Sequence, residues 1–299
     1  MFSFTKYSTT YYVFSGILIT ASIVSLFVFG LRFGIEFIGG STMEIEFTGE
    51  RPNNEQITEQ LKSFNLGDVV VQQIGANGSI LKLKGIDETT HQNILTEISK
   101  LSLVQEKNFQ FIGPSIGQEL KNKTLIAIVL TFLAITLYIT FAFRRVSRPV
   151  ASWKYGITSL IALFHDILIP LGVFSILGKF YNVEITIPII AALLTILGFS
   201  VHDTIVVFDR IRENISRKGG GLFNEIVDLS LNQTIGRSIS TVLTTLFVMI
   251  SLFFFGGETL KWFSLMLIIG ITSGVYSSIF IAGPLLVTWN SFNGRVGKN

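Results

Sequence analysis

Five residues interrupt stretches that otherwise carry no charge: the doublets His165-Asp166 and His202-Asp203, and Arg237, which opens a further apolar run. A charge on a helix in hydrocarbon costs roughly 2.5 to 3.5 kcal/mol on insertion scales, so each needs a partner, a water-filled cavity or a neutral form. Asp203 lies about five residues from the end of its run, roughly 7.5 Å deep at helical rise, and Arg237 lies at similar depth on the next. An ion pair between them is within reach. A carboxylate that is neutral while Arg237 is away and ionised when it approaches would be a protonatable switch able to reposition helices. A fixed pair that only sets helix packing is the competing reading. Asp166, His165 and His202 are candidates for a polar relay or for packing.

Other chemistries fit less well. A zinc protease needs His-Glu-x-x-His, which is absent, and adjacent His and Asp on a helix point about 100 degrees apart instead of toward one ion. An intramembrane aspartyl protease would carry Gly-x-Gly-Asp, whereas Asp203 follows Gly198-Phe199-Ser200-Val201-His202. The absence of cysteine excludes a thiolate metal site, a cysteine nucleophile and a disulfide framework. The expectation is therefore not an enzyme, with no catalytic residue, no cofactor and no metal; the coupling ion is a proton or Na+, since a carboxylate serves either.

The elements that must hold these residues are membrane helices. The 299 residues are 49% hydrophobic and 14% charged, with a mean hydropathy of +0.58, far from the roughly 25% charge of soluble domains. Six apolar runs can each cross a bilayer: Tyr11–Leu31, Leu125–Phe143, Ile157–Leu177, Ile185–Phe208, Ile239–Phe255 and Phe263–Val287. Arg144, Arg145, Arg148 and Lys154 follow the second run, and Arg210, Arg212, Arg217 and Lys218 the fourth. The opposite short connections carry only Lys179 with Glu184, and Glu258 with Lys261, so the basic loops and both termini are expected in the cytoplasm. With that charge absorbed by membrane orientation, no nucleic-acid partner is expected. Residues 1–31 read as a short tail and an uncleaved anchor, 125–287 as the other five spans, and 288–299 as a cytoplasmic tail.

Residues 32–124 then lie outside, and their length exempts their nine Lys/Arg from the charge rule. They alternate as strand Thr42–Phe47, helix Asn54–Phe64, strand Val69–Ile74, a turn at Asn77-Gly78, strand Ser79–Leu83, helix Asp87–Lys100 and strand Val104–Ile112. This β-α-β-β-α-β order predicts a small ferredoxin-like α+β domain with a four-stranded sheet. Its histidine, His91, stands among polar residues and is expected on a solvated surface. Gly39-Gly40 and Gly113-Pro114 bracket the domain as hinges or as plain turns.

The run from Gly198 through His202-Asp203-Thr204 to Asp209-Arg210-Ile211-Arg212-Glu213-Asn214 closely resembles the fourth-span signature of the SecD/SecF family of protein-export membrane proteins, within the resistance-nodulation-division transporter group. So do Gly34-Ile35-Glu36-Phe37-Ile38-Gly39-Gly40, Gly113-Pro114-Ser115-Ile116-Gly117, Asn232 to Ile239, and His165-Asp166. Glu36 stands where the family usually has Asp, and His202 where it usually has Asn. The resemblance implies a SecF-like subunit of a bacterial cytoplasmic membrane that works with SecD beside the SecYEG channel, with YajC as a further candidate partner and an unfolded preprotein as substrate. It implies proton-driven movement of the external domain that stops the emerging chain from sliding back, with Asp203 and Arg237 as coupling residues. A proton-coupled small-solute exporter and a non-coupling scaffold of the translocon are the alternatives; the short Gly178 to Glu184 connection argues against the exporter.

Overall fold

The computed structural model describes residues 1–64, 66–67, 69–144, 150–218 and 222–296; Arg145 and Arg148 lie outside the described residues, as do the side chains of Lys218 and Glu258. The chain divides into two compact units, Phe33–Ile126, and Met1–Arg32 with Ala127–Asn299. In chain order, a 3-10 turn at Thr5–Tyr7 leads into α1 (Ser8–Phe29), then α2 (Ile35–Ile38), β1 (Gly40–Phe47), α3 (Asn54–Leu61), β2 (Val70–Ile74), β3 (Gly78–Leu83), α4 (Glu88–Ser99) and β4 (Val104–Ile112). After these come α5 (Pro114–Ala142), α6 (Ser152–Tyr181), α7 (Ile187–Lys218), α8 (Phe223–Phe255), α9 (Gly257–Ser277), a π-helical turn at Ser278–Ala282, and α10 (Gly283–Val296).

The smaller unit is the ferredoxin-like fold. Its antiparallel strands run in the order β2-β3-β1-β4, as a split β-α-β unit requires. Alternation puts Met43, Ile45 and Phe47 of β1 and Leu81 and Leu83 of β3 on one face, where Ile57 and Leu61 of α3 and Ile94 and Ile98 of α4 close the core. Both helices start on side-chain caps. Asn53 Oδ1 accepts from the Gln56 N–H at 2.8 Å while Gln56 Oε1 accepts from the Asn53 N–H at 2.9 Å. Asp87 Oδ1 accepts from the Thr90 N–H at 2.9 Å, and the donors of Thr90 hold the Asp87 carboxyl below its ordinary range.

His91 is not on a solvated surface; it is 4% exposed. Its ring stacks on Phe109 with centroids 3.9 Å apart, Nε2 lies 2.8 Å from Glu106 Oε1, and Nδ1 lies 3.2 Å from Glu88 Oε1. The polar neighbours in sequence pointed outward, but helical spacing groups His91 with Ile94 and Ile98 on the face that packs.

The glycine pairs at the two ends of this unit meet each other. Gly39 has φ 77°, and a Cβ there would stand 2.8 Å from the Pro114 Cα; Gly40 has φ 150°, and a Cβ there would stand 2.8 Å from the Leu83 carbonyl oxygen. The requirement is therefore both conformational and steric. Gly39→Ala should cost about 1 to 3 kcal/mol of stability in the unit. Gly75→Ala, with φ 57° but open space for its Cβ, should lose less than Gly39→Ala; denaturant unfolding of the purified chain measures both, and equal losses would remove the clasp.

Among the described residues, six helices are long and apolar enough to cross a membrane: Thr5–Phe29, Pro114–Ala142, Ser152–Tyr181, Ile187–Arg217, Phe223–Phe255 and Leu260–Ser291. Helical hydrogen bonding carries several beyond the apolar runs. The turn that follows Phe208 on α7 continues on ion pairs of Asp209 with Arg212, Arg210 with Glu213, and Arg217 with Glu213. Within the most apolar 18-residue stretch of each span, buried residues make up 44%, 50% and 61% in the third, fourth and sixth, against 17%, 6% and 11% in the first, second and fifth. So α6, α7 and the α9–α10 span form the centre of the bundle, and α1, α5 and α8 its periphery. The buried residues of α1 are Ser15, Ser22 and Ser25, and a Cβ on Gly172 of α6 would strike Ser22. Ser25 Oγ donates to the Gly172 carbonyl at 3.0 Å and Ser175 Oγ to the Ser25 carbonyl at 2.9 Å, the close small-residue approach by which helices associate in lipid.

Candidate functional site

Among the described residues, two buried carboxylates lie within the apolar runs, Asp166 and Asp203, and they are satisfied to different degrees. Asp166, on α6, is fully buried. Its Oδ2 accepts from Ser200 Oγ of α7 at 2.5 Å and from Ser277 Oγ of α9 at 2.7 Å. Its Oδ1 accepts from Ser273 Oγ of α9 at 3.1 Å and lies 2.9 Å from Nδ1 of His165. His165 is as deeply buried and stacks on Tyr276 at 5.8 Å, while its Nε2 has no hydrogen-bond partner among the described residues. Three helices thus converge on one carboxylate.

The approach depends on glycine. A Cβ on Gly270 would strike Ile196, and one on Gly274 would stand 3.1 Å from the Ser200 Cβ. The small residues of α9 therefore serve packing within the chain. Those of α8 differ: Thr241 and Thr244 lie on its exposed side.

Asp203 stands three residues after Ser200 on α7, on the same helix face. It is 8% exposed. Oδ1 accepts from Ser238 Oγ of α8 at 2.5 Å, and Oδ2 is buried without a hydrogen-bond partner among the described residues. The Ser278 hydroxyl also faces the Asp203 carboxyl, and it pairs with Thr204 Oγ1 at 2.9 Å. That serine opens the π-helical turn between α9 and α10, an irregularity frequent at functional sites.

Arg237 is not on Asp203 in this structure. It is exposed and makes no ion pair or hydrogen bond among the described residues. The residue beside it in sequence, Ser238, takes its place, because successive helical side chains point about 100 degrees apart. For the same reason His202 faces outward beside the buried Asp203. Gly34 precedes α2, Glu36 lies half-buried within it, and Gly39, Gly40, Gly113 and Pro114 belong to the clasp of the smaller unit.

The serine donors were not singled out in the sequence as ligands of these carboxylates. Ser273 and Ser277 are separated by four residues, a helical-face spacing, but serines in an apolar helix also pair with their own backbone, as Ser230 Oγ does with the Ile226 carbonyl at 2.7 Å. A polar lock at the start of α8 was equally unread. Asp228 accepts from the Thr5 N–H at 2.8 Å and the Thr5 hydroxyl at 2.9 Å. Asn214 Nδ2 of α7 donates to Ser230 Oγ at 2.8 Å and to Gln233 Oε1 at 2.9 Å.

Comparison with known proteins places this arrangement. Residues 90–291 match the family Protein export membrane protein SecD/SecF, C-terminal, and residues 24–49 match the SecD/SecF GG motif. The chain is 42% identical to the protein translocase subunit SecF of Thermobaculum terrenum, over 97% of this chain and 95% of that one. The chain belongs to the SecF family of protein translocase subunits. Its fold is similar to SecDF, a translocon-associated membrane protein from Thermus thermophilus, with a TM-score of 0.85 at 31% identity over 97% of this chain. It matches SecDF in a super-membrane-facing form with a TM-score of 0.72 at 30% identity over 99% of this chain. The chain spans about two fifths of those SecDF chains, 39% and 40%. The matched SecD/SecF regions thus span Gly39 and Gly40 and the helices that carry Asp166, Asp203 and Arg237.

Asp166→Asn turns one of the carboxylate's acceptor oxygens into a donor facing hydroxyls or imidazole. It should cost about 1 to 3 kcal/mol of bundle stability, against less than about 1 kcal/mol for Ser200→Ala. Thermal unfolding in detergent ranks the two, and equal losses would mean that the carboxylate does not organise the three helices.

Proposed function

We propose that the chain is a multi-pass subunit of the bacterial cytoplasmic membrane that works with a SecD partner beside the SecYEG channel, with YajC as a further candidate, and uses the proton gradient to promote and complete export of unfolded preproteins. In this reading it is not an enzyme and needs no bound cofactor beyond the coupling ion, a proton with Na+ as the alternative. Both termini are cytoplasmic and residues 32–124 lie outside, an orientation supported by the basic residues Arg144, Lys154, Arg210, Arg212 and Arg217 on the short loops and helix ends of one side.

The observation that carries the coupling reading is the unequal satisfaction of the two carboxylates buried within the apolar runs. Asp166 has donors for both oxygens, whereas Asp203 has a hydrogen bond on Oδ1 alone, from Ser238, with the Ser278 hydroxyl beside it and Oδ2 buried without a bond among the described residues. A buried carboxylate with spare hydrogen-bonding capacity can exchange a proton and a partner, and Arg237, on the helix that supplies the donor, is the cation available to it. One elementary charge moved across the membrane potential supplies about 2.3 kcal/mol per 100 mV, which shifts a two-state equilibrium roughly fifty-fold. A SecD partner is supported by the likeness to SecDF, of which this chain covers about two fifths.

The test is preprotein translocation into inverted vesicles with an imposed proton gradient, comparing the native chain with Asp203→Asn at equal assembly with SecD. The expected result is loss of the gradient-dependent stimulation with ATP-driven translocation retained. Unchanged stimulation would leave Asp203 a packing residue and the subunit a scaffold.

A further inference from the structure

The coupling reading names Asp203 and Arg237, but in the structure a different residue holds the carboxylate. Ser238 Oγ is 2.5 Å from Asp203 Oδ1, and Ser238 itself is buried. Arg237 and Ser238 are consecutive on α8, and with Ser238 on Asp203 the Arg237 side chain stands exposed, off the carboxylate. Of the two, Ser238 is the one that holds the carboxylate in this structure.

The surroundings allow the exchange. Before the pair, α8 is fixed: Asp228 and Asn232 hold the segment Phe2–Thr5, and Ser230 and Gln233 bind Asn214 of α7. Between these anchors and the pair stands Gly236, whose absent Cβ would meet nothing within 4 Å. A glycine there leaves room and conformational freedom for a local twist. Beyond the pair, 11% of the most apolar 18-residue stretch of α8 is buried; one side of the helix packs along α9, and a twist slides that side while the exposed side moves freely. The charged and titratable groups about Asp203 are His202 on its own helix and Asp166 on α6, while the π-helical turn presents the Ser278 hydroxyl and α8 presents Ser238 with the exposed Arg237 next to it in sequence. Among these, only α8 carries both a neutral donor and a cation at adjacent positions.

We infer that Ser238 is a positioning residue of the coupling cycle, the donor that holds Asp203 while Arg237 is away and that Arg237 displaces through a twist of α8 at Gly236. This inference rests on the coupling reading above. The structure is the Ser238-held member of the pair of states. Removing the hydroxyl leaves Asp203 unheld in that state and changes the balance between the two.

The experiment measures gradient-stimulated translocation in inverted vesicles as a function of pH, for the native chain, Ser238→Ala, Ser238→Thr and Asp203→Asn, each assembled with SecD. Loss of a hydrogen bond to an ionisable carboxylate should displace the pH of half-maximal stimulation by about one unit in Ser238→Ala, while Ser238→Thr, which keeps the hydroxyl, stays with the native chain. A native midpoint in Ser238→Ala, or an equal displacement in Ser238→Thr, overturns the assignment. Should Ser238→Ala fail to accumulate, Ser238→Cys, which keeps the size with a weak donor, is read by the same criteria. Asp203→Asn separates the two claims. Stimulation that survives it overturns the coupling reading itself, whereas stimulation lost there with a native midpoint in Ser238→Ala overturns the role of Ser238 alone.

Discussion

A carboxylate inside a helical bundle can be hydrogen-bonded only by groups that the protein brings to it, and in this chain that requirement fixes where the central helices stand. Asp166 draws Ser200 from α7 and Ser273 and Ser277 from α9, while Gly270 and Gly274 let α9 come close enough to deliver them. An interhelical hydrogen bond in a membrane contributes about 0.6 kcal/mol on average, so three such bonds around one carboxylate outlast thermal fluctuation together where a single one is comparable to it. Asp203, one turn along α7, has the single kind, to α8. One carboxylate makes a frame of α6, α7 and α9, and the other makes a contact that can be traded.

The periphery follows from the same constraint. α1 lies on α6 through buried serines instead of through apolar side chains, and α8 is tied at its beginning by Asp228, Asn232 and Gln233 and left free of such ties further along, apart from Ser238. Polar contacts thus decide which parts of the bundle are held, because apolar contact with lipid and with a neighbouring helix differ little in free energy. In the smaller unit the ordinary rule returns, with an alternating sheet closed by two capped helices and the chain pinched where Gly39 meets Pro114.

Much of this was legible in the sequence for physical reasons that can be named. Apolar runs of span length give membrane helices because lipid leaves the backbone no other partner, and period-two alternation with Asn77-Gly78 gave the strands and their turn. Helix ends such as the start of α8 at Phe223 were not legible, because charged turns continue a helix once i,i+3 and i,i+4 pairs support them. Asp203 and Asp166 could be picked out because charge in hydrocarbon is costly, but their donors could not: serine gives no signal of whether it bonds its own helix or a distant one. The same ambiguity concealed that Ser238, not Arg237, faces Asp203, and that His91 turns inward among polar neighbours.

The central claim is that α8 shifts against a fixed frame, and a distance measurement in the assembled complex tests it most directly. The chain contains no native cysteine, so spin labels can be placed singly or in pairs at outward-facing threonines: Thr195 on α7 with Thr272 on α9, and Thr195 with Thr244 on α8. With and without an imposed proton gradient in proteoliposomes, the Thr195–Thr272 distance distribution should stay the same while the Thr195–Thr244 distribution changes. A shift between α7 and α9, or an α8 that keeps one distance under both conditions, would contradict the account.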